Sequence, residues 1–276
     1  PTGAESGLQG CLCRGTVFWI GFMKTEFERV VLITGAASGI GAAVVRAVAG
    51  PGTALLLHTR ANAAGLESVA ADAQAAGAVV ATHLGDLSAG GVAESLVASA
   101  RKEFGGLDQI VSNAGYADKR VFGDADAAAL RLSLATVTEA FFSLATAALP
   151  TLRESQWGRV VAVSSFVAHN IGVNDTIFPV SAAAKAGLEA LARTLAFQLA
   201  QSGVTVNCVS PGFTRKDPGA HAAVVGDAWQ QAAAAAPMKT LVAPDDVAAA
   251  IAFLLGRDAA RITGQVLNVD AGLSLV

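Results

Sequence analysis

The chain is expected to fold as α/β, a doubly wound parallel sheet of about seven strands with helices on both faces, in a single domain. Three observations predict this. Short β-branched or leucine-rich runs recur along the 276 residues, each the length of a strand buried on both faces. Alanine-rich segments with helical spacing lie between them, and such alternation produces a parallel sheet. The connections are short, leaving room for neither a linker nor a second domain.

Composition agrees. Residues are 53% hydrophobic and 15% charged, enough for a large core, and the formal net charge of -3 argues against a nucleic-acid surface. Three cysteines, Cys11, Cys13 and Cys208, make no disulfide framework. Cys11-x-Cys13 is too short and isolated for zinc, so no metal is expected and the thiols read as free in a reducing, cytoplasmic setting. The apolar run 16–23 is too short to span a bilayer, and no small-residue cleavage pattern follows it. Residues 1–22 are therefore expected to be a disordered extension and 23–276 the domain, with Met23 opening a natural start.

The elements follow in order. Strand 30–34 runs into Thr34-Gly35-Ala36-Ala37-Ser38-Gly39-Ile40-Gly41, which opens a helix over 40–49. Gly35 permits a tight turn, Gly39 lets a diphosphate approach the backbone, and Gly41 lets the helix pack on the sheet. The helix N-terminus offers N–H groups and a positive dipole end to phosphates. A Rossmann-like nucleotide site is expected here, in place of a plain turn. Strand 54–58 leads to His58-Thr59-Arg60-Ala61-Asn62. An acid there would bind a ribose 2′-hydroxyl, whereas Arg60 offers a planar donor fork suited to a 2′-phosphate, so NADP(H) is preferred with NAD(H) open. Helix 63–76, strand 79–84, helix 92–104 and strand 109–112 come next. Then follow helix 134–152, strand 159–164, helix 182–201, strand 204–209, a helix through 232–236, helix 245–255 and strand 266–269.

The spacing Thr-Gly-x-x-x-Gly-x-Gly resembles the short-chain dehydrogenase/reductase family, and the resemblance covers about residues 29–273. Further motifs fall in the family's order. Asp86-Leu87 stands where the family holds the adenine ring. Asn113-Ala114-Gly115 stands where it stabilises the sheet and flanks the cofactor. Ser210-Pro211-Gly212 stands where it closes over the nicotinamide, and Ile262–Gly272 resembles its final strand. The resemblance implies that Ser38 and Ile40 line the phosphates with the three glycines; Thr214-Arg215-Lys216 is placed either to meet cofactor phosphate or amide or simply to face water. The resemblance also implies a homo-oligomer, tetramer or dimer. Ser38 stands where many NADP-preferring relatives carry a second basic residue.

The family's catalytic pattern is Asn, Ser, Tyr, Lys. Ser165 fits the serine slot, with Ser164 facing the other way. Lys185 fits the lysine slot and would also bind the nicotinamide ribose. Four residues before it stands Ser181 rather than tyrosine, and the asparagine slot falls on Val137. A phenol has a pKa near ~10 that an adjacent ammonium lowers, whereas an aliphatic hydroxyl is a far weaker acid. General acid–base assistance contributes ~10²–10⁴-fold, so its loss need not abolish hydride transfer. Lys185 could supply the proton through Ser181 or water. His169, Asn174 and Asp175 lie in a lengthened loop, 168–179, and Tyr116 borders the site in a different backbone setting. Phe166, Ile177, Phe178 and Phe213 are candidate apolar walls, and 213–229, with Thr214-Arg215-Lys216, a candidate lid.

The leading expectation is an oxidoreductase that passes a hydride between nicotinamide and a small carbonyl or alcohol, without nucleic-acid or membrane partners, using a non-standard proton donor. The alternative is a nucleotide-binding protein with little turnover, a sensor or scaffold. A third is dehydration or isomerisation on the same fold.

Overall fold

The computed structural model describes residues 26–173, 176–215 and 228–275. The expected extension 1–22, Met23, Asn174, Asp175, Lys216 and most of the expected lid lie outside the described residues.

Seven parallel strands form the sheet in the order β3-β2-β1-β4-β5-β8-β9. They are β1 (Arg29–Thr34), β2 (Thr53–Thr59), β3 (Val79–Leu84), β4 (Gln109–Ser112), β5 (Arg159–Val163), β8 (Thr205–Pro211) and β9 (Val266–Val269). The interior strands are apolar on both faces because helices cover both. Val30, Leu32, Ala54 and Leu56 join one core with residues of α3 (Val92–Phe104), α5 (Ala140–Glu154) and α6 (Pro179–Leu199). Val31, Ile33, Leu55 and Leu57 join a second core with α1 (Gly39–Val48), α2 (Ala63–Ala75) and α8 (Pro244–Leu255). This two-residue alternation is the strand period seen from both sides. Chain order reverses at β1, which pairs with both β2 and β4. A crevice opens beyond the carboxyl ends of strands at such a switch point.

Three features depart from the sequence expectation. The helix expected over 134–152 is a longer run: α4 (Ala127–Ser133), a π-helical turn Leu134–Glu139, then α5. Asp126 caps α4 by accepting the Ala129 N–H at 2.8 Å, a start signal of the ordinary kind. α6 begins at Pro179, not 182, with proline in the first turn where its fixed φ suits a helix. The lengthened loop carries a 3-10 turn, Phe166–Ala168, and a small antiparallel pair, β6 (Gly172–Val173) with β7 (Thr176–Ile177). The expected helix through 232–236 is α7 (Ala228–Ala235).

The run Ala127–Glu154 is long and apolar enough to cross a membrane by length and composition, and 39% of its apolar window is buried in the fold. Buried Phe141, Leu144, Ala148 and Leu152 pack it into the first core.

Candidate active site

The Gly-rich loop joins β1 to α1. Gly35 has φ +66°, and a Cβ there would stand 2.9 Å from Asn113 Nδ2; a Cβ on Gly41 would overlap the Gly35 carbonyl oxygen. Only glycine allows the helix to lie this close to the loop. Asn113, at the end of β4, locks the turn: its Nδ2 donates to the carbonyls of Thr34 at 3.0 Å and Gly35 at 3.1 Å. The Thr34 hydroxyl accepts the N–H groups of Asn113 at 3.0 Å and Ala114 at 3.1 Å. The mouths of β1 and β4 are thus one rigid unit. Ser38 is the N-cap of α1 but makes no side-chain cap, and no acid stands in the helix's first turn. Among the described residues, no heavy atom lies within 4 Å of where a Cβ on Gly39 would be. A diphosphate would meet open space and a positive helix end here. Ile40 turns into the second core.

Beside the loop, Arg60 follows β2 and is exposed, within electrostatic reach of both Asp86 and Tyr116. The Ser88 hydroxyl and N–H donate to Asp86, at 2.7 and 2.9 Å. These bonds hold its carboxyl below the ordinary range, with Arg60 adding to the effect. Leu87 buries its side chain in the first core. Burial, and then Asp118, push the Tyr116 phenol above its ordinary pKa, away from that of a proton donor tuned to neutral pH.

On the other side of the crevice, Ser181 and Lys185 share one face of α6, and both are buried. Lys185 Nζ donates to the Val163 carbonyl at 2.6 Å. A Cβ on Gly115 would lie 3.4 Å from that Nζ and 3.5 Å from Val137 Cγ2. Lys185, Gly115 and Val137 therefore meet at one point, with Val137 supplied by the π-helical turn, a distortion that often marks functional sites. The Ser181 hydroxyl accepts the Asp118 N–H at 2.9 Å. Ser165 is half-buried, and among the described residues its hydroxyl takes a long bond, 3.5 Å, from the Val167 N–H. The neighbouring Ser164 hydroxyl donates instead to the Glu189 carboxylate.

Beyond β8, the Gly212 N–H donates to the Val269 carbonyl at 3.0 Å, and the Thr214 hydroxyl donates back to the Gly212 carbonyl at 3.0 Å. Pro211 is the buried last residue of β8. Phe166 and Phe178 pack edge to face at 6.3 Å, and Phe213 lies 4.6 Å from Phe166. They form a small apolar cluster with Val167 and Leu273. Ile177 lies outside that cluster. Among the described residues, no group of three or more His, Cys, Asp or Glu side chains is placed to hold a metal ion.

A glycine-cradled crevice facing a lysine on a long helix can be compared with known proteins. The family model described as enoyl-(acyl carrier protein) reductase matches residues 35–274. Cis-4-hydroxycyclohexanecarboxylate dehydrogenase of Sinomonas cyclohexanicum is 35% identical over 250 residues, 90% of this chain and 98% of that protein. The 3-oxoacyl-(acyl-carrier-protein) reductase FabG of Escherichia coli is 30% identical, covering 91% of this chain and 100% of its own. The chain belongs to the short-chain dehydrogenase/reductase family. Among solved structures of similar proteins, the short chain dehydrogenase of Burkholderia cenocepacia in complex with NADP superposes with a TM-score of 0.80 at 30% identity, covering 89% of this chain and 97% of that one. A short-chain dehydrogenase/reductase from Serratia marcescens gives 0.82 at 27%, covering 90% and 98%. Members of this family are nicotinamide-dependent oxidoreductases, and the chain is an oxidoreductase of that kind acting on a small molecule.

Within this short-chain dehydrogenase/reductase, two groups escaped the sequence reading. Arg120 Nε donates to the buried Asp118 carboxylate at 3.1 and 3.2 Å, and its Nη2 lies against Oδ2. No spacing announces that pair as part of the site. Glu189, 4% exposed, was legible in principle: it continues the face of Ser181 and Lys185 by one more turn, amid Leu188, Ala192 and Ala196.

Proposed function

We propose that this short-chain dehydrogenase/reductase, formed by residues 23–276, is an NADP(H)-preferring carbonyl reductase or alcohol dehydrogenase. Its proton chemistry runs without a tyrosine, because Ser181 occupies that slot and Val137 the asparagine slot. The observation that carries this reading is the convergence of Lys185, Gly115 and Val137 beside Ser181, across the crevice from the Gly-rich loop.

The cofactor supplies the hydride. Gly35, Ser38, Gly39, Ile40 and Gly41 would bind its diphosphate through backbone, and Arg60 its 2′-phosphate. Asp86 and Leu87 would flank the adenine, and Asn113, Ala114 and Gly115 the ring edge. Lys185 would hold the ribose, with Pro211, Gly212 and Thr214 over the nicotinamide. Ser165, whose hydroxyl accepts a long bond from the Val167 N–H, would donate to the substrate oxygen. Ser181, its oxygen already accepting the Asp118 N–H, keeps its own proton to donate. Lys185, one turn on, supplies positive charge that favours an oxyanion. The substrate is a small carbonyl or alcohol in a cytoplasmic setting. Exposed Phe142 and Phe197, 56% and 88% accessible on α5 and α6, suit a homo-oligomer.

A second reading, cofactor binding with little turnover, is favoured by the burial of Ser181 and its engagement with the 116–120 loop. NADPH consumption against a panel of ketones and aldehydes separates the two. Turnover by the wild type, abolished by Lys185→Ala, supports the reductase; turnover by Ser181→Tyr alone supports the binder. Product formed without net change in NADPH would instead point to dehydration or isomerisation.

A further inference from the structure

Ser181, Lys185 and Glu189 follow one another at successive turns of α6. Two adjacent β5-end residues hold two of these turns. The Val163 carbonyl accepts from Lys185 at 2.6 Å, and the Ser164 hydroxyl donates to Glu189 Oε1 at 2.5 Å. The other carboxylate oxygen, Oε2, accepts from His169 Nε2 at 2.8 Å, and Arg193 Nη2 stands 3.6 Å from it. The Glu189 side chain is 5% exposed and that of His169 33%. Cys208, buried in β8, lies within electrostatic reach of Glu189, Lys185 and Arg193, which places these charges in one cluster. A buried carboxylate is costly to keep, and an apolar side chain would serve packing better. The carboxylate stands one helical turn beyond a buried lysine and bonds a histidine that reaches water.

We propose that Glu189 and His169 form the outer end of the site's proton path, His169 exchanging protons with solvent and Glu189 positioning its imidazole and linking it to Lys185. This rests on the reductase reading above. In reduction, the carbonyl carbon takes a hydride from the reduced nicotinamide, and the carbonyl π pair becomes an oxygen lone pair that takes a proton from Ser181, Lys185 or a water between them. One proton from bulk water restores the balance: it enters at His169 Nδ1, the Nε2 proton passes to Glu189, and the chain is refilled inward to Lys185. Alcohol oxidation runs the same transfers outward. Tethering by Glu189 fixes Nε2 inward and leaves Nδ1 as the solvent-side nitrogen, a carboxylate–imidazole arrangement suited to proton exchange.

The test uses the full chain with NADPH and a ketone that the wild type reduces. His169→Ala and Glu189→Gln are expected to lower kcat by roughly 10- to 100-fold. NADPH binding, followed by fluorescence, should hold its affinity, which also reports folding. The solvent deuterium effect on kcat should grow, and added imidazole should restore His169→Ala but not Glu189→Gln. If Glu189→Gln fails to fold, the half-exposed His169→Ala decides alone. Unchanged kcat in His169→Ala overturns the proposal. So does a loss that imidazole does not restore and that comes with a higher KM for the ketone, since His169 and Glu189 would then only clasp the loop to α6. A wild type that reduces nothing overturns the reductase reading and this one with it, whereas an active wild type with insensitive variants overturns this one alone.

Discussion

The Ser181 hydroxyl accepts the backbone N–H of Asp118 at 2.9 Å, tying the start of the long helix α6 to the loop that follows β4. The serine thus has a structural task besides any chemical one. Ser181→Ala leaves a buried donor without a partner, which costs about 1–3 kcal/mol. Thermal unfolding should show a lower Tm for Ser181→Ala than for wild type. Equal values would mean that water replaces the hydroxyl.

Ser181→Tyr has a different expected outcome. The position is 4% exposed and the Asp118 backbone lies against it, so a ring must displace the 116–120 loop. Overpacking of this kind costs about 1–3 kcal/mol. A lower Tm together with any gained turnover is the expected pair of readings, and an unchanged Tm would show that the ring finds room in the crevice.

Asp118 should make stability depend on acid. Hydrogen bonds from the Arg120 side chain hold its carboxyl below the ordinary range, against the opposing effect of burial. A group whose pKa is depressed by folding stabilises the native state above its unfolded value, about 3.9, and loses that contribution as pH falls through the folded value. The Tm difference between wild type and Asp118→Asn should therefore be largest near neutrality and shrink below about pH 4. A difference that is constant with pH would mean that the ion pair adds nothing beyond shape.

Arg60 should govern the choice of cofactor. It is the exposed cation beside Asp86, and a charge-assisted bond to phosphate contributes about 1.5–3 kcal/mol. Arg60→Ala should weaken NADPH binding by roughly 10- to 100-fold while leaving NADH nearly unchanged. Fluorescence titration of both reads this directly, and an equal effect on the two would remove the 2′-phosphate role.

Cys208 should be inert. Burial, with Glu189 adding to it, pushes its thiol up to about 12, so almost no thiolate exists near pH 8. Alkylation followed by mass spectrometry should leave the Cys208 peptide unmodified in the native protein and label it after denaturation. Rapid native labelling would mean that β8 opens readily.

Much of the fold was readable because it rests on local period and turn chemistry. The apolar runs of β1 and β2 and the glycines at 35, 39 and 41 carry their reasons within a few residues. The boundaries were less so. α6 starts at Pro179 because a proline suits the first turn, a signal present in the chain and outweighed by the alanine run after it. The π-helical turn at Leu134–Glu139 has no composition of its own.

The sequence by itself determined the parallel sheet, the glycine-cradled crevice, the Ser181–Lys185 spacing and the family, because each follows from period, spacing or an ordered set of short motifs. Only the tertiary structure decided what those side chains touch. Ser181 reaches a backbone N–H 63 residues away, and Glu189 reaches His169 across 20. Such contacts arise where α6 packs on the segments that follow β4 and β5, and packing brings together residues whose separation along the chain carries no signal.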